Sequence, residues 1–299
     1  MKKLIIWGTG LLSRSITQSF DLNADCYVDN NASNWNQTRH SVPIQDPASC
    51  ACAENQLIIA SIHFYEIYQQ ALELGYQKEN ISIATETKLL SHQESITLIS
   101  HHEKHQEWIA TEIAKFPNEV VDHTSDRMNH LKLACQAAKV DGLVLEFGVY
   151  KGASITHLAK ETAQHVYGFD SFSGLPEDWT LFHKKDFFDL HGIEPEVSDT
   201  VDLVKGYFQD TLPDFLTRHT EAIRLIHLDA DLYSSTSYVL EAVKDRLQEG
   251  SILIFDDYFY ELDYDQCDYR AFNNFQTKYK IKVIPISISK GGSIAFQVL

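Results

Sequence analysis

Ile223-Arg224-Leu225-Ile226-His227-Leu228-Asp229-Ala230-Asp231 is an apolar run closed by two aspartates. Ser251-Ile252-Leu253-Ile254-Phe255-Asp256-Asp257 repeats the pattern further on. Each run reads as a buried strand, and residues 235–248 between them carry helical patterning that stops at Gly250. Strand–helix–strand makes the two strands parallel, with both aspartate pairs at the carboxyl edge of the sheet. Open α/β sheets take their ligands at that edge. Carboxylates converging there repel one another unless protons or a cation neutralise them, and a hard divalent cation suits an all-oxygen set.

Upstream, residues 143–147, 165–169 and 204–208 read as further strands, with helices at 154–162 and 212–218. Downstream, Lys280-Ile281-Lys282-Val283-Ile284-Pro285-Ile286 and Ser293-Ile294-Ala295-Phe296-Gln297-Val298 flank Lys290-Gly291-Gly292, the pattern of an antiparallel hairpin. Five parallel-type strands followed by a hairpin predict a seven-stranded α/β sheet. Residues 1–88 repeat the strand–helix rhythm on a smaller scale. Strands are expected at 3–7, 24–28 and 56–60 and helices at 11–20 and 64–74, with Val42-Pro43-Ile44 read as a loop. Between the two units, residues 89–124 read as a helical connector. It is rich in histidine (His92, His101, His102, His105), and those side chains read as solvent-facing rather than as metal ligands. The expected division is therefore 1–88, 89–124 and 125–299.

The chain has 299 residues, 44% of them hydrophobic, and a formal net charge of −17. That charge argues against nucleic acid or an anionic membrane as the main partner. The five cysteines are scattered without a C-x-x-C pair and read as reduced thiols in a cytoplasmic protein. Met1-Lys2-Lys3 precedes an apolar run that Gly8-Thr9-Gly10 interrupts too early for a signal peptide, and no apolar stretch is long enough to span a membrane.

Leu143-Val144-Leu145-Glu146-Phe147-Gly148-Val149-Tyr150-Lys151-Gly152-Ala153-Ser154 runs from strand through a glycine turn into a helix. Glycines let the backbone approach a ligand closely, and the helix start offers free N–H groups. The next strand closes on Tyr167-Gly168-Phe169-Asp170, an acid placed to take the hydroxyls of a ribose. Gly206-Tyr207-Phe208-Gln209-Asp210-Thr211-Leu212-Pro213 ends the third strand. There Gln209 or Asp210 can reach an adenine, or Asp210 can cap the following helix. Residues 171–201 form a long insertion rich in aromatics (Phe172, Trp179, Phe182, Phe187, Phe188), and a lid closing over substrate is the preferred reading.

The motifs centred on Glu146–Gly152, Gly168–Pro176, Gly206–Leu212, His227–Tyr233 and Phe255–Tyr258, all in order from about residue 125 onward, resemble the macrocin O-methyltransferase family. The resemblance implies a class I methyltransferase sheet that uses S-adenosylmethionine (SAM) and Mg2+ to methylate a sugar hydroxyl. It implies that Asp229, Asp256 and Asp257 hold the metal, with Asp231 as the base beside Asp229. It implies Glu146, Gly148 and Gly152 around the methionine part of the cofactor, Asp170 at the ribose and Gln209 with Asp210 at the adenine, with Tyr150, Ser154, Ser171 and Phe172 as further cofactor-binding residues. Where the family commonly has Trp-Arg, this chain has Tyr150-Lys151, again an aromatic and a cation. The implied partner is a small-molecule acceptor, a sugar or glycoside. A homo-oligomer is compatible with the tail hairpin and the N-terminal unit as contacts.

That N-terminal unit carries Gly8-Thr9-Gly10-Leu11-Leu12-Ser13, a G-x-G-x-x-G turn without its third glycine, and Asp29 ends the next strand. It reads as a small Rossmann-like domain, either a nucleotide or nucleotide-sugar site or, more in keeping with the lost glycine, a docking scaffold. Two rival functions follow from these features: an oxidoreductase or sugar-nucleotide enzyme using that turn, and a non-catalytic SAM-binding protein.

Overall fold

The computed structural model describes residues 2–85, 87–117, 121–122, 126–259, 268–289 and 292–299. Cys267 and the hairpin-turn residues Lys290 and Gly291 lie outside them. The chain divides into two compact units, Met1–Lys104 with Thr180–Lys184, and His105–Trp179 with Lys185–Leu299.

The first unit contains β1 (Leu4–Trp7), α1 (Leu11–Ser19), β2 (Cys26–Val28), β3 (Thr38–Arg39), β4 (Val42–Gln45), β5 (Gln56–Ile59), α2 (Phe64–Glu73) and β6 (Ile81–Ile83). The sheet order is β3-β4-β2-β1-β5-β6, parallel except for the β3–β4 pair. Val42-Pro43-Ile44, read as a loop, is instead strand β4, with Ile44 opposite Tyr27. A short strand containing proline has too little alternation to announce itself. Asp29 accepts from the Thr9 hydroxyl and from Asn31 N, while Arg39 donates to Thr9 O at 2.9 Å. The glycine turn is thus tied down by the chain's own side chains. Cys26 and Cys50 are joined as a disulfide, which corrects the reading of all the cysteines as reduced thiols. Their separation of 24 residues carries no motif, and only folding brings β2 next to the short turn holding Cys50.

The second unit begins in α3 (His92–Ile113), which crosses the division, and continues with β7 (Val121–Asp122), α4 (Arg127–Ala137), β8 (Leu143–Phe147), α5 (Ala153–Thr162), β9 (Val166–Asp170), β10 (Val201–Lys205) and α6 (Phe208–Arg218). After these come β11 (Ile223–Leu228), α7 (Tyr233–Val243), β12 (Ile252–Phe255), α8 (Asp268–Tyr279), β13 (Val283–Ser289) and β14 (Ile294–Val298). The sheet order is β10-β9-β8-β11-β12-β14-β13-β7. Strands β8 to β12 are mutually parallel, and β14 inserts antiparallel between β12 and β13, as expected of the hairpin. The two-residue β7 adds an eighth strand, parallel to β13.

Two other details differ from the sequence reading. The third strand ends at Lys205, not at residue 208, and α6 starts at Phe208 with Pro213 inside its first turns. At the sixth position of α6, proline removes the bond that an N–H would make to Gln209 O. His105 is buried, its Nε2 2.7 Å from Phe259 O, so it does not face solvent as expected. Trp108, Ile109, Ile113 and Phe116 follow it onto the core formed by Phe147, Phe255, Phe272 and Phe296. Among the described residues, no helix is long and apolar enough to cross a membrane.

Candidate active site

Adjacent β8 and β11 set Glu146 directly opposite His227, and β12 brings its carboxyl end level with both. Beyond β8 the chain reverses through Gly148, whose φ of +92° is open to glycine. A Cβ there would run into the backbone carbonyl of Asp229, so this turn and the first aspartate of the second motif are packed backbone to backbone. Asp170, at the end of β9, accepts from Val149 N and Tyr150 N at 2.8 Å and from Phe172 N at 2.7 Å. Its carboxylate therefore builds the glycine turn. With three of about four acceptor positions used, it retains limited capacity for a ligand hydroxyl.

Glu146 and Ser154, expected beside a methionine moiety, are both buried. The Ser154 hydroxyl donates to Glu146 Oε1 at 3.1 Å, and His227 Nδ1 lies 2.9 Å from Oε2. Both glutamate oxygens are thus engaged beneath the turn, and Glu146 has no exposed surface. Tyr150 is exposed, as are Lys151 and Ala153, with Phe188 of the insertion set edge-on to the Tyr150 ring at 5.3 Å. Gly152 faces Pro195 and Val197 closely. The insertion is internally bonded, with Leu175 N donating to Phe187 O and Asp186 N to Leu175 O. Phe172 and Phe182 are buried, and Ser171, next to Phe172, is half-buried. Gln209 and Asp210 are exposed in the first turn of α6, not at a strand end.

The acidic edge is more divided than its sequence suggests. Asp229, Asp231 and Asp257, all half-buried, bring carboxylate oxygens within 4.8 Å of one another. Asp256, expected in the metal set, stands in a different set of contacts. It accepts from Arg127 Nε at 2.9 Å and from the Ser293 hydroxyl at 3.4 Å, and its Oδ1 lies 3.5 Å from His227 Nε2. Asp231, expected as a base, joins the cluster instead, on a backbone with φ of 61°. Asp256 and Asp257 follow the last residue of β12 in a bend, and there their carboxylates enter different contacts.

Electrostatics follows this division. Burial and the neighbouring carboxylates push the Asp231 and Asp257 carboxyls well above the ordinary range. Burial and Asp256 push Asp229 up to about 7, against the pull of Arg127 and His227. Asp256 goes the other way: burial opposes its charge, but His227 and Arg127 outweigh burial and lower it. His227 is itself raised to about 10, because Asp256 and Glu146 outweigh the cost of burying an imidazolium. Arg127 also donates to Asp229, so it bridges the ends of β11 and β12.

Arg127 and His227 were not singled out as site residues from sequence. His227 has a readable signal: with Arg224 and Glu146 it is one of three ionisable residues that interrupt two apolar strands. Arg127 carries no such signal. Its place is secured by Asp126, whose carboxylate caps α4 by accepting from Met128 N and Asn129 N.

Strand order, reversed final hairpin, glycine turn and acidic strand ends together define a class I methyltransferase sheet. The chain belongs to the macrocin O-methyltransferase (TylF) family, whose model matches residues 58–293. A curated relative, the 8-demethyl-8-(2,3-dimethoxy-alpha-L-rhamnosyl)-tetracenomycin-C 4'-O-methyltransferase of Streptomyces olivaceus, is 30% identical over 176 residues, 48% of this chain. The match spans 65% of that relative's length, just under two thirds. Among solved structures, the O-methyltransferase NovP is 20% identical with a TM-score of 0.44, covering 57% of this chain and 78% of NovP. An O-methyltransferase from Bacillus cereus in complex with SAH is 17% identical with a TM-score of 0.42, covering 67% of this chain and 90% of that one. Likenesses this remote say nothing of substrate.

Proposed function

We propose that this chain is a SAM-dependent O-methyltransferase acting on a hydroxyl of a sugar or glycosylated small molecule, with a divalent cation, Mg2+, at the acidic strand ends. Family membership supports methyl transfer to oxygen, and the rhamnosyl acceptor in the relative's name supports a sugar. The single observation that carries the cation is the meeting of Asp229, Asp231 and Asp257 within 4.8 Å. Their donor set is all carboxylate oxygen, half-buried and mutually repelling, and that chemistry fits a hard divalent ion. SAM supplies an electrophilic methyl group, so the protein's main task is alignment of the acceptor oxygen with it.

The chain's own residues divide that task. Gly148 and Gly152, with Asp170 gathering the N–H groups of Val149 and Tyr150, shape the turn over which the cofactor lies. Tyr150, Ser171, Gln209 and Asp210 are the accessible or half-buried candidates along the same edge. Asp229, Asp231 and Asp257 would hold the cation that lowers the pKa of an acceptor hydroxyl. Asp231, ionised beside the cation, is the group proposed to receive the hydroxyl proton. Asp256 orients Arg127 and His227 rather than facing the acceptor.

Calorimetry of SAM binding with and without Mg2+, followed by mass analysis of a glycoside panel for the gain of one CH2, tests the proposal. Failure to bind SAM sinks it entirely. SAM binding and product formation unchanged by EDTA sink the metal assignment alone.

A further inference from the structure

At the carboxyl edge of β8, β11 and β12, five carboxylates (Glu146, Asp229, Asp231, Asp256 and Asp257) meet two cationic side chains, His227 and Arg127. The two cations differ in kind. His227 has no exposed surface and is clamped between Glu146 and Asp256, so it is a permanent interior group. Arg127 is 39% exposed at the first position of α4, and its guanidinium joins Asp229 to Asp256 from the solvent side. Asp229 therefore belongs to two sets at once: it accepts from Arg127, and it is one of the three clustered carboxylates.

We propose that Arg127 is a tethered surrogate cation, neutralising Asp229 and Asp256 when no divalent ion is bound and setting how tightly one binds. This rests on the metal reading of the acidic cluster given above. The physical argument is one of charge. A divalent ion beside Asp229 feels the guanidinium as a nearby like charge, which weakens its binding, while the same guanidinium relieves the carboxylates in its absence. The planar fork suits this role, since it can engage carboxylates from two strand ends at once. Partial exposure allows it to swing toward water, on a long flexible stem, without leaving a buried hole.

The test uses full-length Arg127→Met and Arg127→Lys proteins, stripped with EDTA. Mg2+ alone is titrated by calorimetry, and melting is followed with and without it. Arg127→Met is expected to bind Mg2+ at least about tenfold more tightly than wild type. Its metal-free melting temperature falls, and Mg2+ restores more of it than Mg2+ adds to wild type. Arg127→Lys, which keeps the charge, stays within about threefold of wild-type affinity, since a tenfold change would correspond to about 1.4 kcal/mol. Equal Mg2+ affinity in wild type and Arg127→Met overturns the surrogate role while leaving the metal site standing. No Mg2+ binding by any of the three, with SAM still bound, overturns the metal reading and the surrogate with it. If Arg127→Met fails to fold without Mg2+, folding on its addition supports the proposal, and failure in both conditions overturns it.

Discussion

Glu146 and His227 face each other across the β8–β11 pair, Nδ1 to Oε2 at 2.9 Å, and neither side chain has any exposed surface. With Ser154 on one side and Asp256 on the other, they link the glycine turn to the acidic edge through the interior of the sheet. Removing one partner leaves a buried charge uncompensated. Glu146→Gln or His227→Leu is expected to cost about 3–5 kcal/mol of stability, and the double variant less than the sum of the two. Urea unfolding of the four proteins measures this, and additive losses would show that the pair is not coupled.

The same pair sets an alkaline limit. The folded pKa of His227, near 10, lies above its unfolded value of about 6.5. Its contribution is therefore complete below about pH 6.5 and declines as pH rises toward 10. Wild type should lose melting temperature between pH 7 and pH 10, and His227→Leu should show a flatter profile over that window. Parallel profiles would remove His227 as the cause.

An acid limit comes from another histidine. Burial lowers His183 to about 4, below its unfolded value near 6.5. The unfolded chain takes up the proton first, so stability falls as pH drops from about 6.5 toward 4, by about 1–3 kcal/mol in all. His183→Phe should reduce the slope in that window without altering the alkaline one. Melting curves across pH 4–7 provide the comparison.

Two glycines should respond to different degrees. Alanine at Gly148 would place a methyl group against the Asp229 carbonyl on a left-handed backbone. Dihedral strain alone costs about 1–3 kcal/mol, and the overlap adds to it. Gly10 has φ of −74° and open space around it but caps α1, where alanine is poorer than glycine, so Gly10→Ala should cost no more than about 1 kcal/mol. Thermal melts distinguish the two, and a tolerated Gly148→Ala would contradict the backbone packing described.

The acidic cluster predicts an order among the aspartates. Asp231→Asn and Asp257→Asn should each weaken Mg2+ binding at least about tenfold, or about 1.4 kcal/mol. Asp256→Asn should act mainly through stability, since its carboxylate holds Arg127 and faces His227. Calorimetric titration with Mg2+, alongside melting, separates the effects. A larger loss of Mg2+ affinity in Asp256→Asn than in Asp231→Asn would favour Asp256 as a ligand.

Apolar runs closed by acids, glycines at strand ends and helical spacing between them are local signals, and they determined much. They placed β8, β9, β11 and β12 in parallel, the final hairpin against them and four aspartates at one edge, because strand direction and connection length leave few alternatives. Tertiary structure decided what local signals do not encode. Packing of separate elements brings Asp231 beside Asp229 and Asp257 and sets Arg127 between Asp229 and Asp256. Arg127 lies 102 residues before Asp229, and Cys26 lies 24 before Cys50. Such pairs form only when separate elements pack, so no spacing in the chain announces them.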